Sequence, residues 1–204
     1  MNINILFEDD YLMAVSKPPR LLVVPTPKKE NRTLTNVVKE ILGQRGYSRK
    51  VYPCHRLDRD TSGIVLFARD RETEAKMILQ FKKSQVKKSY IALAVGRLER
   101  ERGIISTRIK GKEAVTRYRV LERKDGYTVL GVETETGRTN QIRIHMKGIG
   151  HPLLGERKFA FGKDFKIKFR RTALHARRLR FVHPVTGRQI ELKAAIPADM
   201  KKML

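Results

Sequence analysis

The stretch HRLDRDTSGIVLFA, residues 55–68, joins a loop crowded with charges of both signs to a short apolar run. The apolar run, residues 64–68, has the length and composition of a buried β-strand. By composition alone, the charged loop is typical of a solvated turn whose ion pairs contribute roughly 0 to 1 kcal/mol each. On both sides of this stretch, helix and strand patterns are mixed, which predicts an α+β domain with a largely antiparallel sheet.

The N-terminal part of the chain carries two apolar runs, residues 3–7 and 12–15, on either side of an acidic turn, and they predict two strands. Prolines at positions 18, 19, 25 and 27 disfavour a helix before residue 29 and indicate a loop with at most one edge strand. Thr33 then precedes apolar residues at helical spacing, which predicts a capped amphipathic helix. Those apolar residues are Leu34, Val37, Val38 and Ile41.

The middle of the chain is predicted to begin with a second helix, capped by Asp70. Its spacing favours an inward face made of Ala75, Ile78, Leu79 and Phe81. The run SYIALAVG, residues 89–96, predicts a strand. Two further strand patterns flank residues 124–126, where the Asp-Gly pair is a strong hairpin signal.

The last third is predicted to contain a short helix and a hairpin. The helix lies in TGRTNQIRIHMKGIG, residues 136–150, with Thr139 as its cap and Gly148 at its end. The hairpin, within residues 176–197, turns between Pro184 and Gly187. Because no repeat and no low-complexity linker divides the chain, we expect residues 1–204 to form a single domain.

The charge balance of the chain indicates an anionic partner. The sequence has 45 Lys and Arg against 21 Asp and Glu, a formal charge of +24 and a pI near 10.6. Nucleic acid fits this excess, because neutralised phosphates release counterions and so favour association. No long apolar run and no secretory leader pattern is present, so we expect no membrane partner and a cytoplasmic location. The lone Cys54 excludes an internal disulfide and a multi-cysteine zinc site.

Several segments together resemble the RluA family of pseudouridine synthases. HRLDRDTSG followed by an apolar strand is similar to the family's signature loop, KSYIALAVG at residues 88–96 to its second motif, and TGRTNQIRIHMKGIGHPLLGE at residues 136–156 to its TGR-x-HQIR-x-H segment. LHARRLRFVHP at residues 174–184 and the lysine-proline loop within residues 11–25 also match. The resemblance implies a bent, mixed but mostly antiparallel sheet with flanking helices and loops, which is the pseudouridine synthase catalytic fold.

The resemblance also implies a set of site residues. Asp58 would be the nucleophile, Tyr90 the active-site tyrosine and Arg143 the basic residue that pairs with the catalytic carboxylate. Residues expected to contact RNA are Arg56, Lys88, Arg138 and Asn140. Two positions depart from the family pattern: Asn140 stands where histidine is usual, and Arg20 where glycine commonly follows the lysine-proline pair.

The implied activity is the isomerisation of uridine to pseudouridine in a structured ribosomal or transfer RNA, by a monomeric enzyme that flips the target base out of the stack. The reaction needs no cofactor and no metal ion in principle. A non-catalytic RNA-binding factor and a metal-dependent nuclease are the alternatives. Cys54 beside His55 is predicted to be a packing cysteine, Asp60 a loop-structuring residue, and the histidines at 145, 151, 175 and 183 structural.

Overall fold

The structure is a computed structural model that describes residues 3–27, 30, 32–46, 50–160 and 167–204. Within these residues the chain forms ten strands and four helices, which confirms the predicted α+β class. In chain order the elements are β1 (Asn4–Glu8), β2 (Leu12–Lys17), α1 (Leu34–Gln44), β3 (Tyr52–Pro53), β4 (Ser62–Ala68), α2 (Arg71–Lys82), β5 (Lys87–Val95), β6 (Arg102–Ile105), β7 (Thr116–Lys124), β8 (Tyr127–Thr134), α3 (Gln141–Gly148), β9 (Leu174–Val182), β10 (Gln189–Lys193) and α4 (Ala198–Lys201).

The chain divides into two compact units. The first unit comprises Met1–Val86 and Arg178–Ala195, and the second comprises Lys87–Arg177 and Ile196–Leu204. The division falls within β9, so the first residues of that strand belong to the second unit and the rest to the first unit. That residues 1–204 act as a single domain stays a prediction.

In the first unit, β2 pairs antiparallel with both β1 and β4, β3 pairs with β4, and β10 pairs with the second half of β9. Every residue of β4 is buried, as its unbroken apolar run predicts. Alternate residues of β2 and β4 join Met77 of α2 and Phe181 of β9 in one apolar cluster. This cluster fixes β4, and therefore the end of the charged loop that precedes it.

In the second unit, β5, β8, β7 and β6 form an antiparallel series. The hairpin between β7 and β8 turns at Asp125-Gly126, as predicted, because Lys124 pairs with Tyr127 and Gly126 takes a φ of 77° that suits glycine. Inward residues of β5 and β8 pack with Ile142 and Met146 of α3. The sheet thereby sets the position of α3.

Helix caps were predicted correctly at two of three places. The side chain of Thr33 accepts from the amide of Asn36 at the start of α1, and Asp70 accepts from the amide of Thr73 at the start of α2. The predicted Thr139 cap of α3 is wrong, because the N-cap residue is Asn140 in a left-handed conformation, with φ 57° and ψ 22°.

The predicted inward face of α2 is wrong for two of its residues. Ala75 and Leu79 are exposed, and the buried residues are Thr73 and Met77. Positions 73, 77 and 81 form one stripe at four-residue spacing, whereas 75 and 79 lie on the opposite side. Apolar residues occur around the whole helix, so the sequence could not single out one face.

None of the helices in the described part of the chain is long and apolar enough to cross a membrane.

Candidate active site

The loop that carries Asp58 is held at both ends by contacts to the sheet of the first unit. The amide of Cys54 donates to the carbonyl of Leu66, and the amide of Leu66 donates to His55 Nε2 at 3.1 Å. Leu57 is buried, and the amide of Thr61 donates to the carbonyl of Asp58 at 3.2 Å, which closes a tight turn. These contacts leave the Asp58 side chain half-buried while Arg56 is exposed.

A buried lysine ties this loop to the loop that follows β2. Lys17 is only 1% exposed, and its Nζ donates to the carbonyls of Pro18 (2.9 Å), Leu21 (2.7 Å) and Arg59 (3.0 Å). Three carbonyl oxygens match the three donors of an ammonium group, which compensates for much of the cost of burying it. Because Arg59 follows Asp58 directly, Lys17 restrains the backbone next to the predicted nucleophile.

The residue at the first departure from the family pattern has a glycine-like backbone. Arg20 takes a φ of 64°, in the left-handed region where a side chain costs roughly 1 kcal/mol or more and glycine does not. The glycine that the family commonly has here would fit this conformation without strain. The backbone at this position therefore has a conformation that glycine favours, although the residue is arginine.

In the second unit, Tyr90 and Lys88 are neighbours on one face of β5, because side chains alternate along a strand. Tyr90 pairs with Val132 in the ladder and packs half-buried against the apolar cluster beneath α3. Lys88 Nζ donates to the carbonyl of Thr136 at 3.2 Å. Burial, followed by the charges of Arg138 and Lys87, lowers the pKa of Lys88 to about 8.

Lys88 is therefore expected to make RNA binding depend on pH. If Lys88 contacts RNA as predicted, its ammonium group would attract phosphate below about pH 8, and that charge is lost as pH rises through the pKa of about 8. We expect the Kd for RNA to rise by about two- to fivefold between pH 7 and pH 9 at constant salt. In Lys88→Gln this step should be absent, as measured by fluorescence anisotropy.

Lys87→Gln is the matched control, because Lys87 is the exposed neighbour on the same strand. It should weaken binding at every pH and keep the step, which should move to higher pH because the charge of Lys87 helps to lower the pKa of Lys88. An identical pH dependence in Lys88→Gln and the wild type would contradict the role of Lys88.

The segment before α3 is organised around the side chain of Gln141, which is 4% exposed. Its Oε1 accepts from Thr136 Oγ1 at 2.7 Å and from the amide of Arg138 at 2.9 Å. Its Nε2 donates to the carbonyl of Val115 and to Thr116 Oγ1. Arg138 is further held by a hydrogen bond from its Nε to the carbonyl of Glu113. A saturated buried amide of this kind makes the loop rigid.

Arg143, on the first turns of α3, has its guanidinium bound on two sides. Its Nε and Nη2 donate to the two oxygens of Glu156 at 2.6 and 2.7 Å, and its Nη1 donates to Asn140 Oδ1 at 2.6 Å. Asn140 tolerates the left-handed backbone and directs its side chain to Arg143 instead of to the helix cap. The second departure from the family pattern thus has a defined contact in this chain.

Cys54 and His145, which were predicted to be structural, have contacts typical of structural residues. Burial raises the pKa of Cys54 to about 12, so this thiol stays protonated at neutral pH. His145 bonds to Thr116 Oγ1 and to the carbonyl of Thr107, both at 2.9 Å. Among the described residues, no group of three or more His, Cys, Asp and Glu could hold a metal ion.

The sequence-predicted site residues fall into two groups. Asp58 and Arg56 belong to the first unit, and Lys88, Tyr90, Arg138, Asn140 and Arg143 to the second. Within the second unit Arg143 contacts Asn140 directly, and the charge of Arg138 helps to lower the pKa of Lys88. Sequence reasoning missed Lys17, Gln141 and Glu156, although each lies inside a quoted motif. Their roles depend on burial, which a motif does not reveal.

Comparison with known proteins gives these residues a context. A family model described as RNA pseudouridylate synthase matches residues 11–148. An uncharacterized RNA pseudouridine synthase of Bacillus subtilis, YhcT, is 35% identical over 98% of this chain and 71% of its own length. Ribosomal large subunit pseudouridine synthase D of Haemophilus influenzae is 33% identical over 99% of this chain and 70% of its own length.

Solved structures support the same fold. Human RNA pseudouridylate synthase domain containing 1 aligns with a TM-score of 0.80 at 24% identity and covers 96% of this chain and 84% of its own. Human RNA pseudouridylate synthase domain containing 4 also has a TM-score of 0.80, at 22% identity, over 96% of this chain and 89% of its own. At these identities the likeness concerns the fold, which agrees with the fold implied by the motifs. Together with the family model, these relatives confirm the resemblance drawn from the motifs, and the chain belongs to the RNA pseudouridylate synthase family.

Proposed function

We propose that this chain isomerises specific uridines to pseudouridine in ribosomal RNA, with Asp58 as the nucleophile. The observation that carries the proposal is the loop around Asp58: a half-buried carboxylate on a turn restrained by Lys17, His55 and the buried strand β4. Holding charged residues in a partly buried, restrained loop costs free energy of folding. This cost favours a functional role for the geometry of the loop. The matching family model spans Asp58, Tyr90 and Arg143.

The chemistry requires one bond to break and another to form at the same sugar carbon. The bond from ribose C1′ to uracil N1 breaks, the base rotates, and C1′ joins C5. The hydrogen on C5 leaves as a proton and N1 gains a proton, so no electrons are gained or lost. An ionised carboxylate suits this exchange because it can add to an electrophilic carbon and later depart. Attack on C1′, attack on uracil C6 and stabilisation of a glycal-like intermediate all use this aspartate.

The other site residues serve the extruded base. Tyr90 offers an aromatic face for the uracil and a phenol that can move a proton. Arg143 supplies fixed N–H donors that favour the charged form of the catalytic carboxylate. Arg56, exposed beside the nucleophile, fills the place that the flipped base leaves, which offsets part of an unstacking cost of a few kcal/mol. Lys88, Arg138 and Asn140 contact the RNA around it.

The substrate is proposed to be large-subunit ribosomal RNA rather than transfer RNA. Relatives at 32–34% identity carry the name ribosomal large subunit pseudouridine synthase D. The formal charge of +24 suits a polyanionic partner of that kind. We further propose that the enzyme works as a monomer in the cytoplasm, and that residues 1–204 act as one catalytic domain.

The proposal is tested by release of tritium from RNA labelled at uridine C5, because only a reaction that replaces the C5 hydrogen frees the label. Ribosomal and transfer RNA from cells with and without the gene should be offered separately. Release from ribosomal RNA of the deficient cells alone supports the proposal, and release from transfer RNA would redirect it. Binding without release would favour the RNA-binding factor, and RNA cleavage abolished by EDTA would favour a nuclease.

A further inference from the structure

The carboxylate of Glu156, which is 0% exposed, contacts a predicted site residue directly. Its Oε2 accepts from Arg143 Nε at 2.6 Å. Its Oε1 accepts from Arg143 Nη2 at 2.7 Å and from the amides of Lys158 and Phe159 at 2.8 and 3.3 Å. Both oxygens are therefore used by directed donors.

These donors keep Glu156 ionised although it is buried. Burial raises its pKa, but the hydrogen bonds from Arg143 and the two backbone amides outweigh burial and leave the pKa below its usual value. A bidentate guanidinium–carboxylate pair also fixes the plane of the guanidinium, which a single charge contact would not do. Asn140 Oδ1 on Nη1 and the ring of Phe159, 5.2 Å from the guanidinium carbon, restrain it from other sides.

A second bidentate pair in the same unit, Arg171 with Asp199, has the opposite arrangement. There the guanidinium is 2% exposed and also donates to the carbonyls of Thr172 and Leu174, while the carboxylate is 42% exposed. In the Arg143 pair the carboxylate is fully buried and the arginine is 13% exposed. The Arg171–Asp199 pair stabilises a buried arginine. In the Arg143–Glu156 pair a buried carboxylate instead holds a partly exposed arginine.

We infer that Glu156 is a positioning residue for the isomerisation: it acts through Arg143, whose plane it fixes and whose charge it balances. The inference rests on the proposed function and extends it. Since Glu156 neutralises the guanidinium, Arg143 offers N–H donors in a defined direction instead of an unbalanced positive charge. A donor held in place before the reaction has no reorganisation cost when charge develops next to it.

Glu156→Gln tests the inference, because the amide keeps the size of the side chain but removes its charge and turns one acceptor into a donor. We expect the single-turnover rate on ribosomal RNA to fall by about 100-fold, with the Kd for that RNA within about threefold of the wild-type value. Glu156→Asp, which keeps the charge on a shorter stem, should recover about tenfold of the loss. Asp199→Asn is the matched control and should lower the melting temperature but keep the rate within about threefold.

A double-mutant cycle separates positioning from general support. In an Arg143→Met background, Glu156→Gln should cost no more than about threefold further, because the residue through which it acts is gone. A full additional 100-fold loss would overturn the inference. Equal rates for Glu156→Gln and Asp199→Asn would also overturn it. A wild-type rate for Glu156→Asp would do the same, and that rate can be measured even if Glu156→Gln fails to fold.

Failure of the proposed function is a different result. It would appear as no tritium release by the wild-type protein on any RNA, or as full activity of an Asp58 variant. Loss in the Asp58 variant with an unaffected Glu156→Gln variant would leave the function standing and remove only the role of Glu156.

Discussion

Asp58→Asn is expected to abolish pseudouridine formation while the protein still binds RNA. The amide keeps the shape of the side chain but is uncharged and a poor nucleophile, so the covalent step loses its attacking group. Loss of a nucleophile lowers rates by about 10⁴-fold or more in other enzymes, and we expect the single-turnover rate here to fall by at least that factor. The measurement is tritium release from C5-labelled RNA with enzyme in excess, accompanied by anisotropy for the Kd, which should stay within about threefold.

Asp60→Asn is the control for this prediction, because Asp60 is a half-buried carboxylate two residues along the same loop. Its rate should stay within about tenfold of the wild-type rate if it only structures the loop. A wild-type rate in Asp58→Asn would reject Asp58 as the nucleophile. Comparable losses in both variants would instead indicate that the charge of the loop matters more than one position.

The second large effect is expected from Gly155→Ala, which acts on the backbone next to Glu156. An added Cβ would lie 2.0 Å from the carbonyl oxygen of Arg171 and 2.7 Å from that of Phe169, and both are main-chain atoms that cannot rotate away. The φ of 69° adds strain for any residue with a side chain. We expect a loss of at least about 3 kcal/mol in the free energy of unfolding, a fall of roughly 6 to 12 °C in Tm.

Gly111→Ala separates the two causes, since Gly111 has a similar φ of 73° with no atom within 4 Å of the added Cβ. It should cost only about 1 to 2 kcal/mol, the strain of the left-handed backbone. Equal Tm values for the two variants would refute the steric account.

Calorimetry of the same proteins also tests the single-domain prediction, which requires one cooperative transition; two separate transitions would contradict it.

The sequence predicted the elements whose signals are local. The Thr33 and Asp70 caps, the Asp125-Gly126 turn and the buried strand β4 each depend on a few adjacent residues, and each is confirmed. The face of α2 could not be predicted, because which side is buried depends on what it packs against. The predicted Thr139 cap failed for a different reason: the N-cap residue is Asn140 in a left-handed conformation, and its side chain contacts Arg143 and makes no capping hydrogen bond.

For the site, motifs located the candidate residues but not what holds them. The partner of Arg143 is 13 positions further along the chain and belongs to a separate turn, so no spacing rule connects the pair. Lysine is rarely buried without partners, so residue type alone does not indicate that Lys17 is buried. Only the folded chain reveals the three carbonyls that compensate it. The catalytic roles of Asp58, Tyr90 and Arg143 stay predictions.

Cys54 gives the protein a built-in reporter. It is the single cysteine of the chain, it lies four residues before Asp58, and in the folded state its thiol is 5% exposed with a pKa raised to about 12. Alkylating reagents attack the thiolate, so they must wait until this part of the first unit opens. The alkylation rate of Cys54 therefore measures how often the structure around the Asp58 loop opens, without any engineered label. Until that opening, the chain also has no accessible sulfur through which two copies could become crosslinked by oxidation.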